Sequence, residues 1–454
     1  MSYNVPLSYQ VLITPLVDKD TYGSTVDVTK DIDISDQIKD GGIGKIKREV
    51  DNGDYDIGVF TYGNITLKAS NIDGRFNNEN DYRSIFKYSR DKAKVEIKFY
   101  DSNSSATISF KGIINEEGTK QDFLKDEVKF KVLSLDSVLR KTKIAAGVVS
   151  NGTTFSDAIK SIINVPSITS VLNYSASYVN VGLDLAIDDG SYFDNKTVKD
   201  GLDALMVASN SVMVVDSSDY MVVRDRTENS GSVFQFYGHG DLFGRENIIA
   251  IKAYNTGFHR MFNSVVVNDY ESSNTGLIDV YNLRQKKTNV DFITDSTKSR
   301  TIADTILGEF KAPKVELELV TTTEIAKGLS LFDLVSIDYP YEVKPYGDHK
   351  LPLYGSAVYG TAVYPYIRGN IKIRANEAFK VIGVSEDPKK FLTTVKLRQR
   401  GTTLSDGTLS AVSTYYGSAI YGTDVYVADP SRVDPSILAY YGGALYGTVH
   451  YGGI

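Results

Sequence analysis

Acid–base or metal chemistry would first be sought at the histidines, and this 454-residue chain has only four: His239, His259, His349 and His450. None falls in an H-x-x-x-H or H-E-x-x-H pattern, so a His-ligated metal or a His general base would need distant segments to converge. Cysteine is absent. That removes disulfides, thiolate nucleophiles and Cys-ligated metals together. The acids offer two dense stretches. Asp184-Leu-Ala-Ile-Asp-Asp-Gly could supply carboxylates to a metal or a sugar, but has no recognisable partner motif. Asn71-Ile-Asp-Gly-Arg-Phe-Asn-Asn-Glu-Asn-Asp81 is rich in oxygen ligands, yet its glycine is misplaced for an EF-hand loop, and it reads as a solvated turn. Asp225, between Arg224 and Arg226, is expected to balance those arginines at a strand end. No phosphate-binding, dinucleotide-binding or nucleophile-elbow motif occurs, and no spacing nominates a carboxylate pair for glycoside hydrolysis. The expectation is a protein with no catalytic, cofactor-binding or metal-ligating residue, and no cofactor.

Tyrosine is the exception to this plainness: 31 Tyr stand against no Trp. Nine of them belong to an eleven-residue motif that recurs three times without a gap. The copies are Tyr354-Gly-Ser-Ala-Val-Tyr-Gly-Thr-Ala-Val-Tyr364, Tyr416-Gly-Ser-Ala-Ile-Tyr-Gly-Thr-Asp-Val-Tyr426 and Tyr441-Gly-Gly-Ala-Leu-Tyr-Gly-Thr-Val-His-Tyr451. A Gly-Thr pair between two short β-type runs suits a type II′ hairpin turn. With the loop at Gly360-Thr361, Tyr359 faces Ala362 and Ala357 faces Tyr364, large against small twice on one face. Tyr421 with Asp424 and Tyr446 with Val449 repeat the arrangement. Isolated two-stranded ribbons are marginal in water, so these must pack on something. Tyr354, Tyr359, Tyr364, Tyr416, Tyr421, Tyr426, Tyr441, Tyr446 and Tyr451 are therefore the candidate interface residues. Packing within or between subunits, docking of a partner protein and stacking on a surface glycan all remain open for them.

The surrounding elements are mostly strands. Up to about residue 145, runs such as Ile65-Thr-Leu-Lys-Ala, Lys94-Val-Glu-Ile-Lys-Phe-Tyr and Glu127-Val-Lys-Phe-Lys-Val-Leu alternate apolar with polar residues. That is the period of a sheet with one solvated face. Near residue 150 the style changes. Thr154 to Ile163 reads as a short amphipathic helix with a Thr or Ser cap, Thr197 to Ser209 as a second helix with Val198, Leu202, Leu205 and Ser209 along one face, and Ser211 to Arg224 as a hairpin turning at Asp216-Ser-Ser-Asp219. Strands resume from about residue 245, interrupted by a helix at 297–310 that Pro313 stops. The expected fold is mainly β with a small α+β domain. Its four parts are a β-barrel or sandwich over 1–148, the α+β domain over 149–235, a second β domain over 236–405, and a Tyr-Gly repeat segment over 406–454.

Bulk properties bound the partners. Net charge is −7 with pI near 5.3, which lacks the basic signature of a dedicated nucleic-acid binder; a conduit for DNA would also tolerate it, which is permissive and no more. No apolar run reaches the roughly 18 residues of a membrane span. Met1-Ser-Tyr-Asn-Val-Pro lacks the blocks of a secretory signal, so synthesis and folding in a cytoplasm are expected.

Several segments resemble the hub proteins of phage baseplates and tail tips, including the hub region of tail-associated proteins. Asp51-Asn-Gly-Asp-Tyr-Asp-Ile-Gly-Val-Phe to Arg75-Phe76 is similar to their first tube-type domain. Thr197-Val-Lys-Asp-Gly-Leu-Asp-Ala-Leu-Met to Arg226 is similar to their small inserted domain, and Leu329-Ser-Leu-Phe-Asp-Leu-Val-Ser-Ile-Asp338 to the loop and strand of their second tube-type domain. Together these cover roughly residues 10 to 400. The resemblance implies a homotrimer whose paired β domains make a pseudo-sixfold ring. That ring would meet the tail tube or a distal tail protein on one side and a spike or fibre on the other, pass DNA without specific binding, and sit in the virion with no membrane span and no catalytic residue. The chain departs from the longer tail-associated proteins in having no lytic domain after the hub region. A peripheral or receptor-binding tail protein, and a wall-degrading tail enzyme, are the rival readings.

Overall fold

The computed structural model describes residues 7–16, 31–50, 58–77, 83–86, 89–216, 219–227, 234–238, 246–255, 260–312, 314–339 and 373–400. Strand residues outnumber helical ones among these, and the fold is mainly β with a smaller helical part, as the alternating runs predict. Strands and helices are numbered below in chain order.

The first sheet has seven strands. Their order is β2 (Ile32–Asp33), β1 (Ser8–Leu16), β7 (Ser89–Tyr100), β8 (Ala106–Asp122), β9 (Glu127–Ser134), β6 (Ile65–Ser70) and β3 (Ile38–Ile43). Period-two burial builds its core. Ala93, Val95, Ile97 and Phe99 of β7 point inward, as do Ile65, Leu67 and Ala69 of β6 and Val128, Phe130 and Val132 of β9. Phe76 and Phe86 meet the Phe130 ring edge-on, with centroids 5.5 and 6.2 Å away.

The second sheet has ten strands. Its main path is β11 (Met221–Asp225), β10 (Ser211–Val215), β5 (Gly58–Tyr62), β4 (Ile46–Val50), β19 (Ile373–Asp387), β20 (Leu392–Gln399), β17 (Glu316–Thr322) and β13 (Ala250–Asn255). β18 (Leu334–Tyr339) joins it through β19, and β12 (Phe234–Tyr237) pairs with β18. Strands β4 and β5 lie between β3 and β6 in sequence but belong to this second sheet. β4 pairs with β19, Ile46 opposite Glu386, while β5 runs parallel to β10, Gly58 opposite Val212. The chain thus leaves the first sheet after β3 and re-enters it at β6. At the crossing the Gly44 N–H donates to the Thr66 carbonyl at 3.0 Å.

A third, three-stranded sheet has the order β15 (Tyr270–Ser273), β14 (Ser264–Val267), β16 (Gln285–Thr288). The helices are α1 (Ser137–Lys141), α2 (Phe155–Ile163), α3 (Pro166–Thr169), α4 (Val198–Ala208), α5 (Thr275–Tyr281), α6 (Ser296–Phe310) and α7 (Thr323–Ala326). The anticipated cap of α2 is in place, and α4 and α6 are capped as well. Thr154 accepts from the Asp157 N–H at the start of α2, and Thr197 from the Asp200 N–H at the start of α4. Asp295 caps α6 by accepting from the N–H groups of Thr297 and Lys298. The hairpin of β10 and β11 forms, closed by an Asp216 N–H to Tyr220 carbonyl bond of 3.0 Å. One apolar cluster joins α2, α4, α6 and β14, with Phe155, Leu202, Leu205, Val265, Phe292, Ile302 and Phe310 all buried. Among the described residues no helix is long and apolar enough to cross a membrane.

Candidate functional site

The histidines and the nine repeat tyrosines lie outside the described residues. The acidic stretch does not converge. Asp184 accepts from the N–H and hydroxyl of Ser156 at 2.9 and 2.8 Å, and Asp189 from the Ser191 N–H at 3.0 Å. Asp188 reaches across to α6, pairing with the Lys298 ammonium and accepting from the N–H groups of Thr294 and Asp295, each at 2.8 Å. Burial works to raise the Asp188 pKa, but these donors outweigh it and hold the carboxyl down at about 2. Asn71 closes a turn, its side-chain oxygen accepting from the Phe76 N–H at 2.7 Å. Asp225 departs from expectation: it accepts from the N–H and hydroxyl of Thr227 at 2.8 and 2.7 Å. The flanking arginines turn elsewhere, Arg224 to Asp333 at 3.7 Å and Arg226 to Glu309 at 3.6 Å. Alternation along β11 separates these side chains. Among the described residues no group of three or more His, Asp or Glu is placed to hold a metal ion.

Polar side chains converge instead on the seam between the first and second sheets. Glu386 of β19 is 4% exposed and accepts from the Tyr9 hydroxyl of β1 and, at 3.0 Å, from the Ser109 hydroxyl of β8. The Tyr9 ring stacks on Phe391, centroids 5.6 Å apart, and tilts against Phe99 at 5.4 Å. Burial, reinforced by the charge of Glu386, drives the Tyr9 pKa far above that of an ordinary phenol, so the hydroxyl stays a donor. Beyond β7, Asp101 pairs with Lys327 and the Ser102 hydroxyl donates to Glu324 of α7. Arg48 of β4 donates to the Leu329 carbonyl at 3.1 Å. Lys111 of β8 meets Asp219 at 2.5 Å, beside a cleft also lined by Asp136 and Asp216. Burial raises the Asp219 pKa against the pull of Lys111.

A second polar cluster lies where α6 ends against the second sheet. Lys314 contacts Glu309 at 2.5 Å, and Arg260 contacts Glu316 at 3.2 Å. The guanidinium groups of Arg226 and Arg398 lie 4.8 and 5.3 Å from the Phe310 ring centroid. Lys380 of β19 donates to the Arg226 carbonyl and lies 4.8 Å from the Phe332 ring centroid. Burial first, and then repulsion from Arg226, Lys314 and Arg400, pushes the Lys380 pKa down to about 8 against the attraction of Glu309. Burial opposes ionisation of Glu309 as well, yet Arg226 and Lys314 hold its pKa below the usual glutamate value.

These residues were not legible as a site. Tyr9 and Glu386 are 377 positions apart, and no local pattern marks either. Their arrangement offers no nucleophile beside a base. It joins two sheets through buried, geometrically demanding hydrogen bonds, the chemistry of a rigid structural joint.

No family model and no curated protein matches the sequence. Solved structures do resemble it. The tail protein from Neisseria meningitidis MC58 is 11% identical with a TM-score of 0.52, and the likeness covers 88% of this chain and 98% of that one. The 43 kDa tail protein of prophage MuSo2 from Shewanella oneidensis is 10% identical with a TM-score of 0.47, covering 86% and 97%. A prophage tail protein from Listeria monocytogenes EGD-e is 8% identical with a TM-score of 0.43, covering 89% and 98%. The chain has the fold of the Neisseria tail protein over nearly the whole of that protein's length.

Proposed function

We propose that the chain is a structural hub subunit of a tailed-phage baseplate or tail tip. In this reading it is a homotrimer in the virion, and its two β parts form a pseudo-sixfold ring between the tail tube, or a distal tail protein, and a spike or fibre. The ring encloses part of the DNA passage, and the negative net charge of −7 suits a wall that does not retain DNA. The division into 1–148, 149–235, 236–405 and 406–454 belongs to this reading, as does the assignment of the nine repeat tyrosines to subunit or partner contacts. The reading assigns the chain no catalytic residue. The observation that carries it is the likeness to a tail protein over 98% of that protein's length. The joint of Tyr9, Ser109 and Glu386 agrees with a part that must keep two β units in one fixed relation.

Electron microscopy of the parent particle with this chain labelled tests the proposal. Label at the tail tip, together with threefold rings of purified full-length protein bound to tail tube, is the expected result. Protein that stays monomeric at high concentration and never binds tail tube would count against the hub. Clearing of peptidoglycan by the purified protein would favour an enzyme instead.

A further inference from the structure

The three-stranded sheet ends in two strand edges of opposite charge. Among the described residues neither β15 nor β16 pairs with a strand beyond β14. The β15 side carries the exposed acids Asp269, in the turn before the strand, and Asp304 of α6, which accepts from the Ser272 hydroxyl at 2.5 Å, whereas Glu271 reaches back across the sheet and accepts from the Ser264 hydroxyl of β14 at 2.6 Å. Arg300, one helical turn before Asp304, is the cation nearest to them in sequence on α6. The β16 side carries Arg284, Lys286 and Lys287 in four consecutive positions. Exposed apolar side chains accompany the edges: Tyr270 on β15 is 39% exposed, and Val280 and Leu283, just ahead of β16, are 67% and 58% exposed. α5, which links the two edge strands, buries none of its residues.

Open edges of this kind pair with another strand unless something blocks them. Twofold pairing would set cation against cation, or acid against acid, and like charges directly opposite are destabilising. We infer that the basic β16 edge of one copy docks beside the acidic β15 edge of a second copy of this chain. Such a contact joins two different surfaces, and repeating it around an axis closes a ring. The occupant is a second copy because the complementary edge exists on the same sheet. The inference rests on the hub reading for its setting and adds the surface through which copies meet.

Mass photometry or light scattering of three full-length variants decides it. Lys286→Glu with Lys287→Glu makes both edges acidic, and Asp269→Lys with Asp304→Lys makes both basic. Each should weaken ring formation by more than about tenfold. Combining all four substitutions restores opposite edges and should restore the ring, which a fold defect would not allow. If the wild type forms rings and the double variants form them equally well, this surface is overturned while the hub reading stands. If the wild type forms no ring even with tail tube present, the hub reading falls with it.

Discussion

Asp188 is the residue whose sequence context suggested ligand chemistry and whose structure shows a joint. Its carboxylate pairs with Lys298 and takes the N–H groups of Thr294 and Asp295, tying the helix–hairpin region to the start of α6. Charge-assisted bonds of this kind contribute about 1.5–3 kcal/mol each where they are well formed. Replacing Asp188 by Ala should lower stability by about 2 kcal/mol in urea denaturation. The pH dependence has a definite sign. The folded pKa, about 2, lies below the ordinary value of 3.8, so the contribution is complete above pH 4 and is lost as pH falls through the folded value. Wild type and Asp188→Ala should therefore converge in stability between about pH 4 and pH 2.

Among the elements, β8 shows how little room the first sheet leaves. Gly112 on β8 faces Ser134 of β9 on one side and Val95 of β7 on the other. A Cβ there would sit 2.4 Å from the Leu133 carbonyl oxygen and 2.8 Å from Val132 and Phe110 side-chain atoms. Gly112→Ala should cost about 1–3 kcal/mol, read as a lower thermal midpoint, although alanine suits a strand at least as well as glycine. The cap of α2 was readable because Thr154 acts within three residues of itself, and Thr197 caps α4 in the same local way. The destination of β4 was not. Its Ile46-Lys-Arg-Glu-Val run looks like any strand, and its partner β19 lies more than 300 residues away.

At the scale of the whole molecule, the two polar clusters join parts that the chain builds separately. Lys380 makes the second cluster measurable. Its folded pKa of about 8 lies below the ordinary 10.5, so between these values the unfolded chain holds the extra proton and stability rises with pH. Lys380→Met should flatten that rise when thermal midpoints are compared at pH 7.5 and pH 10. The repeat segment offers a coarser test. Deleting residues 406–454 should impair assembly if the Tyr-Gly repeats serve contacts between subunits or with a partner. Normal assembly with lost attachment to cells would assign the tyrosines to glycan instead.

The amino-acid sequence by itself determined what depends on near neighbours. Alternation placed Val95, Ile97 and Phe99 on one face, helical spacing placed Ile302, Ile306 and Phe310 on another, and the lack of cysteine removed thiol chemistry. It also announced three copies of one tyrosine motif. Only the tertiary structure decided which sheet each strand joins, that Asp225 bonds to Thr227 and not to its arginines, and that Tyr9 meets Glu386. The reason is physical. Periodicity records which side of an element is buried, whereas the choice of partner is set by shape and charge arriving from hundreds of residues away.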